Sequence, residues 1–370
     1  MRPKHIIIDA RNRRSSTGRY TDRLVEHLQD IDHDNHYTVL VAPGDNWQPK
    51  NKNFAATPSR FAQFSFNPLD QIAFSWQLYR LHPDLVHFTM TQQPLFYFGK
   101  IVTTTHDLTM LRFARAGRLP RLVHALRMLA YSFLFWWSHR KSTRIIVPTN
   151  FVKQDLAKHS PFTKKKTVVT YEASDHLKKL EPKALKGARK PFIFHVGSPF
   201  PHKNIQRLIQ AFEIVKESQP NLQLVLGGKK EHYYQELEAW AADSPVRKSI
   251  LFYGFVPDAQ MRWLHKNAEA YVLPSLSEGF AIPGLEAMVN ECPLISSNAT
   301  CMPEVFGKGA HYFDPFSVTD IARAIQEVLR DDNLKKKLVV AGKQQVKKYS
   351  WDKMAIETMA VYNEVLGVKS

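Results

Sequence analysis

Two cysteines, Cys292 and Cys301, are the only thiols in 370 residues. They cannot supply the disulfide framework of a small secreted domain, and sixteen histidines show no closely spaced ligand set for a metal. No segment reaches the roughly 18 uncharged apolar residues of a membrane-spanning helix. The opening Met-Arg-Pro-Lys-His-Ile-Ile-Ile-Asp lacks the apolar core and cleavage site of a secretory signal and runs straight into a strand pattern. A reduced, cytoplasmic setting is the expectation. Internal repeats and low-complexity tracts are missing as well. Gly227-Gly228-Lys229-Lys230 follows a strand but lacks the Gly-x4-Gly-Lys-Ser/Thr spacing of a phosphate loop. Asp30-Ile-Asp32-His-Asp34 falls after the first helix, at the end of the domain away from strand carboxyl termini, and reads as a solvated turn.

What the chain does have is alternation. Apolar residues make up 44% of it, enough for about two cored domains. Strand-like runs at 5–8, 37–42, 84–88, 101–105, 144–147 and 167–170 are followed by a second series at 192–196, 222–226, 250–253, 270–273, 294–296 and 311–313. Helical patterns fall between them, at 18–29, 70–81, 150–158, 204–218, 259–267, 284–290, 318–330 and 333–348. That order predicts α/β domains with doubly wound parallel sheets. The polar stretch 173–190 reads as a linker between a first domain, 1–172, and a second, 191–350.

The linker also divides the charge. Residues 1–190 hold 31 Lys and Arg against 14 Asp and Glu, whereas residues 191–370 hold 20 of each. The whole formal excess of +17 therefore belongs to the first half. An anionic acceptor or an anionic membrane face would explain it. Nucleic acid is disfavoured, because the cations are dispersed and no zinc-finger, helix-turn-helix or RNA-binding signature accompanies them.

The most informative segment is Ser275-Leu-Ser-Glu278-Gly279-Phe280-Ala281-Ile282-Pro283-Gly-Leu-Glu286-Ala287-Met288, followed by Pro293 and by Pro303-Glu304-Val305. Two carboxylates eight positions apart straddle a strand-to-helix turn. Backbone N–H groups at Phe280, Ala281 and Ile282 would face outward at a helix N-terminus, where an anion binds without a basic side chain. Carboxylates beside such a pocket suit hydroxyls on either side of a diphosphate, which is the shape of a nucleotide-sugar.

This pattern resembles that of the GT-B glycosyltransferases of the large retaining family called family 4 (group 1). The usual motif there is Glu-Gly-Phe-Gly-Leu-Pro-x-x-Glu-Ala-Met, then Gly-x-Pro and Pro-Glu-Val. Eleven positions match, and two depart: Ala281 and Glu291 stand where glycine is usual. Alanine narrows the approach to a phosphate and disfavours a positive φ. The resemblance implies a GT-B fold, two Rossmann-like domains facing a central cleft, with a last helix near 351–366 returning to the first domain.

Three further segments stand at strand ends. Thr17-Gly18-Arg19-Tyr20-Thr21 is similar to the family's Gly-Ile-Gly-Arg-Tyr-Thr, and Gly18 there would let backbone approach a phosphate or sugar. Thr104-Thr105-His106-Asp107 ends an apolar strand. The resemblance implies that His106 contacts the donor sugar, with Asp107 fixing its tautomer or capping the next helix. His195-Val-Gly197-Ser198-Pro-Phe-Pro-His202-Lys203 repeats the strand–glycine–helix layout, and Lys203 suits the donor diphosphate. Arginines common in the family near that glycine and lysine are replaced by Ser198 and His202, which leaves Lys203 and Arg19 as the expected cations. Val256, in Tyr-Gly254-Phe-Val-Pro, is a candidate for backbone contact with the base.

The resulting expectation is a metal-independent transferase without cofactor that moves a hexose from a UDP- or GDP-linked donor to an anionic or lipid-linked acceptor. His106 and Glu278 hold the sugar. Gly18, Arg19, Gly197, Lys203, Val256, Gly279, Phe280, Ala281, Ile282 and Glu286 bind the donor, with Glu286 on the ribose. Alternatives are a sugar-nucleotide epimerase of the same architecture and a non-catalytic carbohydrate- or membrane-binding protein. The helical pattern 119–141 carries a basic stripe, Arg118, Arg121 and His124, running into Phe135 and Trp136, with Arg115 just before it. That stripe suits an anionic headgroup interface and peripheral attachment to the inner membrane face, while most of the helix's apolar residues are expected in the core.

Overall fold

The computed structural model describes residues 2–13, 17–59, 67–114, 120–175 and 180–368. The chain divides into two compact units, numbered here in sequence order. Unit 1 comprises Met1–Leu111, Leu119–Glu172 and Ser350–Ser370; unit 2 comprises Ala173–Tyr349 with the short Arg112–Arg118 stretch.

Unit 1 is built on seven parallel strands: His5–Asp9 (β1), His36–Val41 (β2), Phe54–Pro58 (β3), Leu85–Phe88 (β4), Ile101–Thr104 (β5), Arg144–Val147 (β6) and Thr167–Val169 (β7). Their order is β3-β2-β1-β4-β5-β6-β7. Ile6, Ile7 and Ile8 are fully buried, because helices cover both faces of the sheet and leave neither side for polar alternation. The helices are Gly18–Ile31 (α1), Pro68–Arg80 (α2), Thr109–Arg112 (α3), Arg121–Lys141 (α4), Asn150–His159 (α5) and Trp351–Leu366 (α13). The last is capped by Ser350, whose hydroxyl accepts from Lys353 N. It packs along α1, with His27 bound to Asp352 at 2.6 Å and Arg144 bound to Glu364.

Unit 2 has six parallel strands, Phe192–Val196 (β8), Gln223–Gly227 (β9), Ile250–Gly254 (β10), Ala270–Leu273 (β11), Leu294–Ser297 (β12) and Ala310–Phe313 (β13), in the order β10-β9-β8-β11-β12-β13. Its helices are Ile205–Ser218 (α6), His232–Trp240 (α7), Asp258–Asn267 (α8), Ile282–Val289 (α9), Met302–Phe306 (α10), Val318–Arg330 (α11) and Asp332–Val346 (α12). One apolar core joins Ile193, Phe212, Leu224, Val272, Ile295 and Ile325.

In each sheet the strand order reverses beside the unit's first strand, at β1/β4 and at β8/β11. Ligands of open α/β sheets bind outside the carboxyl ends at such a reversal. The loops after β1, β4, β8 and β11 are therefore the places where chemistry is expected.

Several sequence readings change. The edge strand β3 was not foreseen, because Ala55, Ala56 and Thr57 at a sheet margin give no apolar run. Helices α3, α7 and α10 were also missed. The described part of 173–190 is not a free linker: Lys183 N donates to Ala259 O, and Gln223 Nε2 donates to Gly187 O. Helix α4 departs furthest from expectation. It buries only Phe135, Ser138 and His139, while Leu122, Val123, Leu126, Leu129 and Phe133 are all about half exposed or more. Phe135 is core, with Tyr131 packed beside its cluster, but these exposed apolar residues are not, and Arg115 and Arg118 lie outside the described residues. Among the described residues no helix is long and apolar enough to cross a membrane.

Candidate active site

Unit 2 gathers its candidate residues at the ends of β8 and β11. After β8 the chain passes Gly197, where a Cβ would meet only His195 Nε2 at 3.3 Å, so the backbone there stays open. One 3-10 turn, Pro201–Lys203, leads to Asn204, which adopts a left-handed conformation and starts α6. Asn204 holds that turn by donating from Nδ2 to Pro274 O at 3.0 Å and Pro315 O at 2.8 Å. Lys203 is thereby aimed at the loop after β11, and its ammonium meets Glu278 Oε1 at 2.6 Å. Ser275 Oγ donates to the same oxygen at 2.6 Å, and Glu278 N donates to Thr300 Oγ1. Burial would raise the Glu278 carboxyl, but the Lys203 charge together with the hydrogen bonds from Lys203 and Ser275 holds the group below its ordinary value.

The helix α9 begins at Ala281 with no side-chain cap and no acid in its first turn. Within that first turn Pro283 has no N–H and Gly284 N donates to Ala281 O at 3.0 Å. Ala281 sits at φ 63° despite its Cβ, and Glu291, the other position where glycine is usual, also sits at φ 63°. Both departures from the motif keep the backbone that glycine would favour. Phe280 turns its ring inward against Tyr349, 5.3 Å between centroids. Glu278 and Glu286 are brought into one electrostatic neighbourhood, since both carboxylates push up the buried Tyr271 hydroxyl after the larger effect of burial. Val256 is buried, its methyl packed over Gly227, which leaves only its backbone for a ligand.

His195 had no role assigned from sequence. Its Nδ1 donates to Val272 O at 2.9 Å, its ring lies parallel to Tyr271, and its Nε2 has no hydrogen-bond partner among the described residues. Burial drives its pKa down to about 4, so the ring is neutral and Nε2 presents a lone pair beside Gly197. The sequence signal was only a polar residue inside an apolar strand.

Unit 1 builds a different site. The loop after β1 is fixed by Asp9, fully buried, which takes Arg11 Nε and an Arg11 terminal nitrogen at 2.8 Å each. Arg11 also covers the Phe74 ring. Gly18 is required for a reason other than ligand approach: a Cβ there would lie 2.0 Å from Arg13 O. Arg19 is exposed on the first turn of α1. His106, just past β5, bonds Glu172 Oε1 through Nδ1 at 2.9 Å and Thr89 O through Nε2 at 3.1 Å. The Thr89 carbonyl and the Glu172 carboxylate both accept, an arrangement that suits a ring carrying both protons. Burial would lower its pKa, but the Glu172 carboxylate, with smaller help from Asp107 and the Thr89 carbonyl, raises it. Asp107 is not the tautomer partner; its carboxylate accepts from Thr109 N at 2.7 Å at the start of α3. Tyr20 stands edge-on to His106 at 4.9 Å and bonds Thr104, which bonds His87, which bonds Tyr362 of α13. Glu172 lies 66 residues from His106, and no local motif marks it.

The acidic turn after α1 is structural: Asp32 accepts from the Tyr37 hydroxyl at 2.5 Å and from Asn35 Nδ2 at 2.8 Å. Among the described residues no group of three or more His, Cys, Asp or Glu side chains could hold a metal ion.

Two doubly wound parallel units with these strand-end sites define a two-domain GT-B glycosyltransferase. Comparison with known proteins gives the family. The model described as "Glycosyl transferases group 1" matches residues 178–345, and that described as "Glycosyltransferase Family 4" matches residues 17–176. The chain belongs to the group 1 glycosyltransferases. It is 26% identical over 276 residues to O-antigen chain mannosyltransferase B of Escherichia coli, covering 71% of this chain and 70% of that one. To O-antigen chain mannosyltransferase RfbU of Salmonella typhimurium it is 27% identical over 241 residues, 62% of this chain and 64% of that one. The serotype-specific mannosyltransferase WbdA of Escherichia coli is 34% identical over 163 residues, 43% of this chain but only 20% of that much longer one. In fold it is similar to sucrose-phosphate synthase of Thermosynechococcus elongatus, with TM-score 0.77, 16% identity, and 99% of this chain and 100% of that one covered. It is likewise similar to WaaG, a glycosyltransferase involved in lipopolysaccharide biosynthesis, with TM-score 0.74, 16% identity, and 96% and 99% covered.

Proposed function

We propose that the protein transfers a hexose, with retention, from a UDP- or GDP-linked donor to a lipid-linked or envelope-polysaccharide precursor at an anionic membrane surface. Mannose is the favoured hexose, because three relatives carry the name mannosyltransferase. The observation that carries the reading is the Lys203–Glu278 pair beside the uncapped start of α9. One cation and one carboxylate next to a helix N-terminus suit a diphosphate joined to a sugar.

In this reading the bond from the sugar's anomeric carbon to the phosphate oxygen breaks, and its electron pair leaves with the nucleoside diphosphate. Lys203 and the amides of Gly279, Phe280, Ala281 and Ile282 meet that charge, without a metal. The acceptor hydroxyl oxygen bonds to the anomeric carbon and its proton passes to the departing phosphate. Glu278 holds sugar hydroxyls, Glu286 the ribose diol, and the His195 lone pair accepts from a further donor hydroxyl. In unit 1, His106 is a cation held by Glu172 that donates to the substrate sugar by exchanging its bond to Thr89 O.

Calorimetry with free GDP and UDP tests the donor site. Glu286→Ala should weaken the better nucleotide by about 1.5–3 kcal/mol, the worth of a hydrogen bond to a charged group. Glu278→Ala should bind that nucleotide nearly as well and lose transfer. Unchanged nucleotide affinity in Glu286→Ala would remove that residue from the ribose.

A further inference from the structure

Exposed large apolar side chains are not scattered over this molecule. Of the nineteen among the described residues, twelve lie in three segments of unit 1: α2, the 95–98 loop and α4. On α4 they are Leu122, Val123, Leu126, Leu129, Phe133 and Trp136. Apart from Val123 they recur at alternating spacings of four and three, which at 3.6 residues per turn makes one straight stripe. Phe135, Ser138 and His139, the residues that α4 buries, occupy the opposite side. The basic stripe of Arg121 and His124 runs with this buried side, so the sequence reading had the wrong face outward.

The three segments form one surface. Trp137 Nε1 donates to Leu95 O at 3.0 Å, and Lys141 Nζ donates to Tyr97 O at 3.2 Å. The Tyr79 hydroxyl of α2 donates to Phe96 O and accepts from Phe98 N. Phe98 meets Trp137 edge-on, and Phe133 lies parallel to Trp137 at 6.4 Å. Trp76, 65% exposed, and Leu69, 72% exposed, extend the surface along α2.

Charge decides what covers it. Helix α4 carries the exposed Arg121, Arg127 and Arg140 and no carboxylate, while Lys141 is turned onto the carbonyls of Pro94 and Tyr97. From residue 68, where α2 begins, to 154 the sequence has eleven Lys and Arg against three acids, Asp70, Asp84 and Asp107, and Asp107 is engaged with Thr109. A second copy docked face to face would set these cations against their own kind. An anionic bilayer accepts both features, aromatic and aliphatic side chains at the headgroup boundary and cations on lipid phosphates.

We propose that α2, the 95–98 loop and α4 form a membrane-contact face that seats unit 1 on an anionic lipid bilayer. This deepens the reading that the acceptor is membrane-borne, and it names the surface that makes the contact. Vesicles of phosphatidylcholine with or without phosphatidylglycerol test it on the full chain by co-sedimentation. The wild type should bind phosphatidylglycerol vesicles, with added sodium chloride weakening the binding. The double variant Leu126→Glu/Leu129→Glu should lose about tenfold or more in partition, since it places two charges in the boundary layer. Because both side chains already face water, the variant should keep the wild-type melting temperature and its nucleoside diphosphate affinity. Arg127→Glu/Arg140→Glu should reduce binding to anionic vesicles alone. Equal partition of the Leu126→Glu/Leu129→Glu variant and wild type overturns the proposal. So does a lipid-independent dimer in sedimentation velocity that the leucine substitutions dissolve. Failure of the wild type to bind any nucleoside diphosphate would instead strike the transferase reading, and would leave the vesicle result standing.

Discussion

Each unit buries a histidine near the carboxyl end of a central parallel strand, and the two environments drive it in opposite directions. In unit 1, His106 faces a carboxylate and a carbonyl, and Glu172 raises its pKa despite burial. In unit 2, His195 faces one carbonyl and a tyrosine ring, and burial takes it down to about 4. The same residue type is thus pushed toward its charged form in one site and toward its neutral form in the other. Glu172 is the largest of the groups that raise His106, and His195 has no carboxylate hydrogen-bonded to it. The contrast fits a division of labour in which unit 2 neutralises charge within one tight ion pair and unit 1 displays an excess of positive charge.

The sharpest way to break the comparison is to open the ion pair of unit 2. Lys203 and Glu278 are both largely buried, so removing one partner strands the other away from water. Lys203→Met should cost about 2–3 kcal/mol, discounted for the residual exposure of both side chains. In a unit of this size that lowers the melting temperature by roughly 4–12 °C. The double variant Lys203→Met/Glu278→Met should recover most of that stability while transfer stays lost. If the double variant melts no higher than the single one, the pair is not the reason for the loss.

A smaller effect separates the histidines themselves. Raised in the folded state, His106 stabilises in its charged form. That contribution is complete below its unfolded value of about 6.5 and is lost as pH rises through its folded pKa. His195 and Glu278 have the opposite sign. Their contributions are present above about 6.5 and about 4.5 respectively and fade as pH falls through the folded values. Glu172→Gln keeps a hydrogen-bond acceptor but removes the charge that raises His106. The alkaline limb of kcat should then move to lower pH by about one unit or more, since one unit corresponds to about 1.4 kcal/mol of interaction. KM for the donor should change little. An unmoved limb with a uniform fall in rate would give Glu172 a merely structural part.

Much of this fold is legible in the sequence because parallel strands covered on both faces leave unbroken apolar runs. Ile6-Ile7-Ile8 and Ala270-Tyr271-Val272-Leu273 are such cases. The donor-site motif is legible for a related reason: Glu278 through Glu286 lie on one turn and one helix, so spacing along the chain is spacing in space. Glu172 and the Val272 carbonyl act across strands, on residues 66 and 77 positions away, and no local pattern reveals them. Of the two roles open to Asp107, tautomer partner of His106 or cap of the next helix, the structure shows the second, the local one. Helix α4 misleads because apolar periodicity reports a face and not what the face meets.

The smallest effect comes from the two positions where unit 2 departs from glycine. Ala281 at φ 63°, ψ 48° and Glu291 at φ 63° hold left-handed backbone against the clash of their own Cβ atoms. That conformation costs a non-glycine residue roughly 1–2 kcal/mol. Glycine removes the clash but adds freedom to the unfolded chain, worth about 0.4–1 kcal/mol in the other direction. The net gain from Ala281→Gly should be about 0.5–1 kcal/mol. Glu291→Gly should gain less, because Glu291 also holds Lys343 at 2.9 Å in a half-exposed pair. Only Ala281→Gly should also change function, by widening the approach to the α9 N-terminus where the proposed reading puts the donor phosphates. Chemical denaturation and nucleotide calorimetry on the two variants separate these effects. A destabilised Ala281→Gly would mean that the methyl packs better than its backbone conformation costs. Equal changes in nucleotide affinity for the two variants would take residue 281 out of the phosphate pocket.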